Sequence, residues 1–183
     1  MGKLRILAVG AALVAMALAS GCASGVKRAD GAKTSTFQPS AEIPVGKVTV
    51  NVTSEARSKL KNNVKFNQDS LRTAIQEILT NNQLYKADSG VSLDVLVTRI
   101  RVRSTFSAVM WGAMAGNDAV EGEVSVKDAS GKTLDKFSVN ASYALGGFAG
   151  GQDSMRTGWL YEAFAKEVLG QFKPETKAKT AKN

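Results

Sequence analysis

The sequence predicts an α+β domain: a four-stranded mixed sheet in the order β-α-β-β-β-α, with two amphipathic helices on one face. Three observations carry this. Apolar residues alternate in four segments, around residues 48–52, 91–102, 120–126 and 133–143, as strands with one buried face require. Two segments, 71–79 and 160–172, instead repeat apolar residues at helical spacing. A four-residue link, Asp128-Ala129-Ser130-Gly131, joins the last two alternating runs at the length of a hairpin turn.

The elements follow in order. Val48, Val50 and Val52 share one parity with Thr49 and Asn51 between them, a half-buried strand. Residues 54–68 are polar and mixed, a loop with room for a short helix. Asp69-Ser70 then supplies helix-capping chemistry. Leu71, Ala74, Ile75, Ile78 and Leu79 make a helical stripe that Asn81-Asn82 ends. The next strand, from Val91 to about Met110, changes parity. Val91, Leu93, Val95 and Val97 lie on one phase, Ile100 and Val102 on the other. A β-bulge near Thr98 would bring both halves onto one core. Arg99, Arg101 and Arg103 then share the opposite face, which reads as a solvated face or an anion site. In the hairpin, Val120, Gly122, Val124 and Val126 share one parity, and Thr133, Asp135, Phe137, Val139, Ala141 and Tyr143 share one face of the next run, with Gly131 at the position that favours a left-handed backbone. The last helix opens at Asp153-Ser154, buries Leu160, Tyr161, Phe164, Ala165, Val168 and Phe172, and stops at Pro174. Met155 and Trp159 fall off its stripe.

Composition narrows the chemistry. The chain has 183 residues, room for one domain with a core. It contains no His and one Cys. Histidine acid–base chemistry, Ser-His triads, disulfide frameworks and Cys-rich zinc sites are therefore excluded. The net charge of +8 belongs mainly to the ends. Residues 42–172 hold 15 basic and 14 acidic side chains, while Lys173, Lys177, Lys179 and Lys182 crowd a tail over 173–183. A nucleic-acid binder carries its basic footprint on a folded face, so nucleic acid is not an expected partner.

The N-terminus reads Met1-Gly2-Lys3-Leu4-Arg5, then an apolar run over 6–19, then Ser20-Gly21-Cys22. A basic start, a short apolar run and small residues make a secretory signal; a spanning helix takes about 20 apolar residues. Leu18-Ala19-Ser20-Gly21-Cys22 resembles the bacterial lipobox, in which Cys is lipidated and the signal is cut before it. Leu18 stands one place further from the Cys than usual. The resemblance implies cleavage between Gly21 and Cys22, a covalent lipid on Cys22, and three acyl chains as a lasting membrane anchor. Ala23, where Asp would imply retention in the inner membrane, implies the outer membrane, with the domain facing the periplasm. The expected organisation is a signal peptide over 1–21, a lipidated Cys and flexible Ala/Ser/Thr/Gly/Lys-rich tether over 22–42, one domain over 43–172, and a disordered basic tail over 173–183.

The lipobox, the helix followed by a long strand and a glycine-rich interruption, the strand–Asp128-Ala129-Ser130-Gly131–strand hairpin and the helix after a second glycine-rich stretch resemble, in that order, bacterial outer-membrane lipoproteins carrying the domain of unknown function numbered 4410. The resemblance covers roughly residues 45–172. It implies no activity, and by fold analogy with other small envelope modules a binding role.

No catalytic constellation stands out. Gly146-Gly147-Phe148-Ala149-Gly150-Gly151 lies between a strand and a helix but matches neither the Walker nor the dinucleotide pattern. Neither a catalytic residue, a metal ligand nor a cofactor other than the lipid is expected. The hairpin brings the loops near 112–118 and 144–152 to one end of the sheet. The uncharged segment 104–117, with Phe106, Met110, Trp111 and Met114, then meets Phe148, and Trp159 falls nearby. These side chains form either a patch for a partner or membrane, or core tucked under the helices. The expected function is a non-enzymatic envelope lipoprotein binding a protein partner or cell-wall component. The alternative is a subunit of an oligomeric export or pore assembly at the outer membrane.

Overall fold

The structure is a computed structural model, and it describes residues 24–32, 35–60, 66–103, 116–143 and 153–172. The fold is α+β with a mixed sheet. The described strands number five: β1 (Gly25–Lys27), β2 (Val45–Val52), β3 (Val91–Arg101), β4 (Asp118–Lys127) and β5 (Thr133–Tyr143). The described helices number three: α1 (Ser54–Lys59), α2 (Gln68–Asn81) and α3 (Asp153–Phe172).

The sheet order is β1-β5-β4-β3-β2. β2 and β3 are parallel and every other pair is antiparallel. A parallel pair needs a crossover, and the chain through α1 and α2 supplies it. Directly paired residues share a face, so the register lays out the core in rows. Val52, Val97, Gly122, Val139 and Val26 make one row; Val50, Val95, Val124 and Phe137 make the next. α2 buries Leu71, Ile75 and Leu79, and α3 buries Leu160, Phe164 and Val168. The two helices pack against each other and over the sheet. At Gly122 an added Cβ would lie 3.4 Å from the Phe164 ring and 3.2 Å from the Leu96 carbonyl, a tight fit, so the glycine lets the ring approach the row closely.

The parity change in β3 resolves as a bulge. Val97 faces Gly122 and Arg99 faces Glu121 in successive rungs, which leaves Thr98 extra. Val97 and Ile100 are both buried as a result. The β4–β5 turn also follows its chemistry. Gly131 has φ +85°, and the Asp128 carboxylate accepts from the Ser130 and Lys132 amides at 2.9 and 3.0 Å.

Three expectations need correction. The sheet has five strands, not four. The added strand, β1, arises in the stretch expected to be a tether: Val26 completes a core row and Phe37 packs on the core. Arg28 is sequestered against Asp135, a pairing that makes residues 24–32 part of the body, as the Ser35 bond to Asp135 does for residues 35–38. α2 begins at Gln68, one residue before the expected cap, because Asn67 accepts from the Ser70 amide at 3.0 Å. The arginine face is also split. Arg99 is exposed and pairs with Glu121 at 3.0 Å, but β3 ends at Arg101 and the alternation ends with it, so Arg103 is buried.

Candidate functional site

The end of β3, the start of β4, the end of β5 and the start of α3 converge at one pole of the sheet. Asp118 pairs with Tyr143 there in the β4–β5 register. Its parity is that of Val120, so its side chain points inward and is 1% exposed. A carboxylate in such a place needs charge-assisted hydrogen bonds. Arg103 donates its backbone amide to Asp118 Oδ1 at 2.7 Å and its Nε to the same oxygen at 3.2 Å. Arg156, on the first turn of α3, donates Nη1 to Asp118 Oδ2 at 3.1 Å and Nη2 to the Arg103 carbonyl at 3.2 Å. Arg103 Nη1 also reaches the Gly116 carbonyl at 2.7 Å. These bonds tie three chain segments together: the end of β3, residues 116–118 and the first turn of α3.

Aromatic residues rim the cluster. The rings of Tyr143 and Trp159 lie 5.1 Å apart, tilted by 47°. Desolvation pushes the Tyr143 hydroxyl above its ordinary pKa, and the Asp118 charge adds to this against the opposing pull of Arg156 and Arg103. Trp159 is 37% exposed and Met155, one turn earlier, is 50% exposed.

Of the residues singled out from sequence, Trp159 is at this pole and partly exposed, as its position off the helical stripe implies. Gly21, Cys22, Phe106, Met110, Trp111, Met114 and Phe148 lie outside the described residues. The Arg103–Asp118–Arg156 cluster escaped the sequence reading. Its one sign was an acidic residue on an apolar parity, since Asp118 continues the phase of Val120, Val124 and Val126.

Asp135 carries the same sign at the opposite pole. It takes charge-assisted bonds from Arg28 and from the Ser35 hydroxyl. Arg28 also stacks its guanidinium 5.4 Å from the Phe137 ring centre, and its Nη1 donates to Gln171 Oε1 at 3.3 Å. Ser35 further donates its amide to the Gln171 carbonyl at 3.0 Å.

The chemical potential of these groups is structural. The carboxylates of Asp118 and Asp135 are buried and engaged by guanidinium donors. Among the described residues no group of three or more His, Cys, Asp or Glu stands together as metal ligands. The uncovered face of the sheet has an open depression of about 450 Å³ lined in part by Lys27, Glu121, Glu123, Ser138 and Asn140. Its two carboxylates are in surface ion pairs, Glu121 with Arg99 and Glu123 with Lys136 at 2.8 Å.

The model of a domain of unknown function, DUF4410, matches residues 30–147. The chain belongs to this DUF4410 family. The matched span stops before α3, although α3 supplies Leu160, Phe164 and Val168 to the same core. No curated protein matches the sequence. Among solved structures, the PelC dodecamer from Paraburkholderia phytofirmans has 12% identity and a TM-score of 0.51, covering 84% of this chain and all of that one. A leucine-to-methionine variant of the same dodecamer has 13% identity and the same TM-score. The DUF4410 chain and PelC thus share a fold. A minor lipoprotein from Acinetobacter baumannii has 12% identity, a TM-score of 0.33, and covers 68% of this chain and 86% of that one.

Proposed function

We propose that this DUF4410 protein is a non-enzymatic lipoprotein of the cell envelope, anchored by lipid on Cys22 to the outer membrane. It faces the periplasm and binds a protein partner or cell-wall component. The observation that carries the reading is the series of basic start, apolar run and Leu18-Ala19-Ser20-Gly21-Cys22, which puts the chain's one thiol where lipidation uses it. No helix among the described residues is long and apolar enough to cross a membrane. The test is labelled fatty acid fed to cells, followed by fractionation. The wild-type chain is expected to take up label and sediment with outer membranes. Cys22→Ser is expected to lose both the label and the membrane association. An unlabelled wild-type chain overturns the reading.

A second reading, a subunit of an oligomeric export or pore assembly, is favoured by one finding: the whole length of a protein that forms dodecamers shares this fold. Mass measurement after detergent extraction tests it. A ring-sized species supports assembly, and a monomer removes it.

A further inference from the structure

We infer that the pole bearing Tyr143, Met155 and Trp159 rests on the lipid bilayer, with the 128–132 turn pointing away from it. The inference deepens the lipoprotein reading and rests on acylation of Cys22.

The route of the chain sets the orientation. β1 is antiparallel to β5, with Lys27 beside Ser138 and Gly25 beside Asn140. Followed backwards, the chain therefore climbs β5 toward Tyr143. Ser24 continues that path, since its hydroxyl accepts from the Ser142 amide at 3.1 Å. Two peptide units separate Ser24 from Cys22, so the two Cα atoms lie within about 8 Å. A flexible tether of twenty residues would leave the domain free to tumble above the membrane. Here residues 24–32 are docked, and the acylated residue is held close to one pole.

That pole also carries the side chains suited to such a surface. The large apolar residues exposed among the described residues are Ile43, Leu96, Met155 and Trp159. Met155 and Trp159 stand one turn apart on α3, off its buried stripe, and Trp159 lies against Tyr143. Trp and Tyr favour the headgroup layer, where an apolar ring and a polar edge are both satisfied. A second copy or a protein partner would also cover these rings. Only a bilayer is brought to this pole by a covalent bond a few ångströms from Ser24.

The test uses the full chain, purified with its lipid and placed in phosphatidylethanolamine–phosphatidylglycerol vesicles containing brominated-chain lipid. In Trp111→Phe, Trp159 is the remaining indole. Its emission is expected to fall about twofold relative to unbrominated vesicles. In Trp111→Phe/Trp159→Phe/Lys132→Trp the indole sits at the far turn, about 30 Å away along the strands, and is expected to keep its emission. A further variant, Met155→Cys, carries a single free thiol because Cys22 is blocked by lipid. A nitroxide there is expected to be relaxed more by oxygen than by an aqueous nickel chelate. Intact mass separates the two failures. Unmodified Cys22 overturns the lipoprotein reading and this inference together. Acylated Cys22 with an unquenched Trp159, equal quenching at both ends, or a water-exposed label at 155 overturns the orientation alone.

Discussion

Two buried Arg–Asp clusters occupy opposite ends of the β4–β5 hairpin, and they hold different things in place. At the turn end, Arg28 and Ser35 close on Asp135, joining partners 107 and 100 residues apart. At the other end, Arg103 and Arg156 close on Asp118, joining partners 15 and 38 residues apart. The first fastens a three-residue edge strand that is paired on one side only. The second braces elements already fixed by strand pairing and by α3, so it cannot open without disrupting the core. The same chemistry thus makes a clamp on an edge strand at one end and an internal brace at the other.

The largest effect is expected at the brace. Asp118→Asn keeps the side-chain shape and removes the negative charge between two buried guanidinium groups. Removing one partner of a buried ion pair costs about 3–5 kcal/mol. Urea unfolding should show a lower midpoint with an unchanged slope. A loss below about 1 kcal/mol would show that Asp118 contributes little to holding the arginines.

At the clamp, Asp135→Asn is expected to cost less, about 2 kcal/mol, because Arg28 can rehydrate with its segment. The sharper readout is local. Trypsin should cut after Lys27 and Arg28 much faster than in the wild type, while the rest of the domain survives. Global unfolding in step with this cleavage would erase the contrast between clamp and brace.

The sequence made the local parts of this architecture legible. Alternation marked β2 to β5, the parity change placed the bulge at Thr98, and Gly131 with Asp128 marked the turn. The helical stripes identified the buried faces of α2 and α3. β1 was hidden because three residues with one apolar side chain look like linker; only pairing with β5, more than 100 residues on, makes them a strand. The ion clusters were half visible. Asp118 and Asp135 stand on apolar parities, which signals buried charge, but nothing local says that Arg28, Arg103 and Arg156 answer them. Trp159 was placed by its absence from the α3 stripe. The split of the arginine face was not legible, since the end of β3 is set by tertiary packing beyond Arg101.

Between the two clusters, the hairpin turn offers a neutral comparison. Gly131→Ala puts a Cβ on a residue at φ +85° and touches neither cluster. A left-handed alanine costs about 1–2 kcal/mol. The loss should appear in thermal unfolding with no change in cleavage after Arg28. Faster cleavage would mean that the turn and the clamp open together.

The smallest effect is expected at an ion pair on the open sheet face, where water screens what the interior does not. Asp94 accepts from Lys127 Nζ at 2.7 Å and from the Thr49 hydroxyl. Burial alone would raise its pKa, but these bonds and the nearby positive charge of Lys127 hold it below the ordinary value. A carboxylate with a depressed folded pKa stabilises the fold above its unfolded pKa of about 4, and that contribution fades as pH falls through the folded value. Asp94→Asn should therefore cost under about 1 kcal/mol at pH 7. Its stability should converge with that of the wild type as the pH falls through the lowered folded pKa of Asp94. In about 1 M salt, where the Debye length is near 3 Å, the Asp94→Asn difference should shrink while the Asp118→Asn penalty persists. Equal salt sensitivity at the two sites would mean that water reaches the Asp118 cluster in solution, and the brace would have to be redrawn as a surface feature.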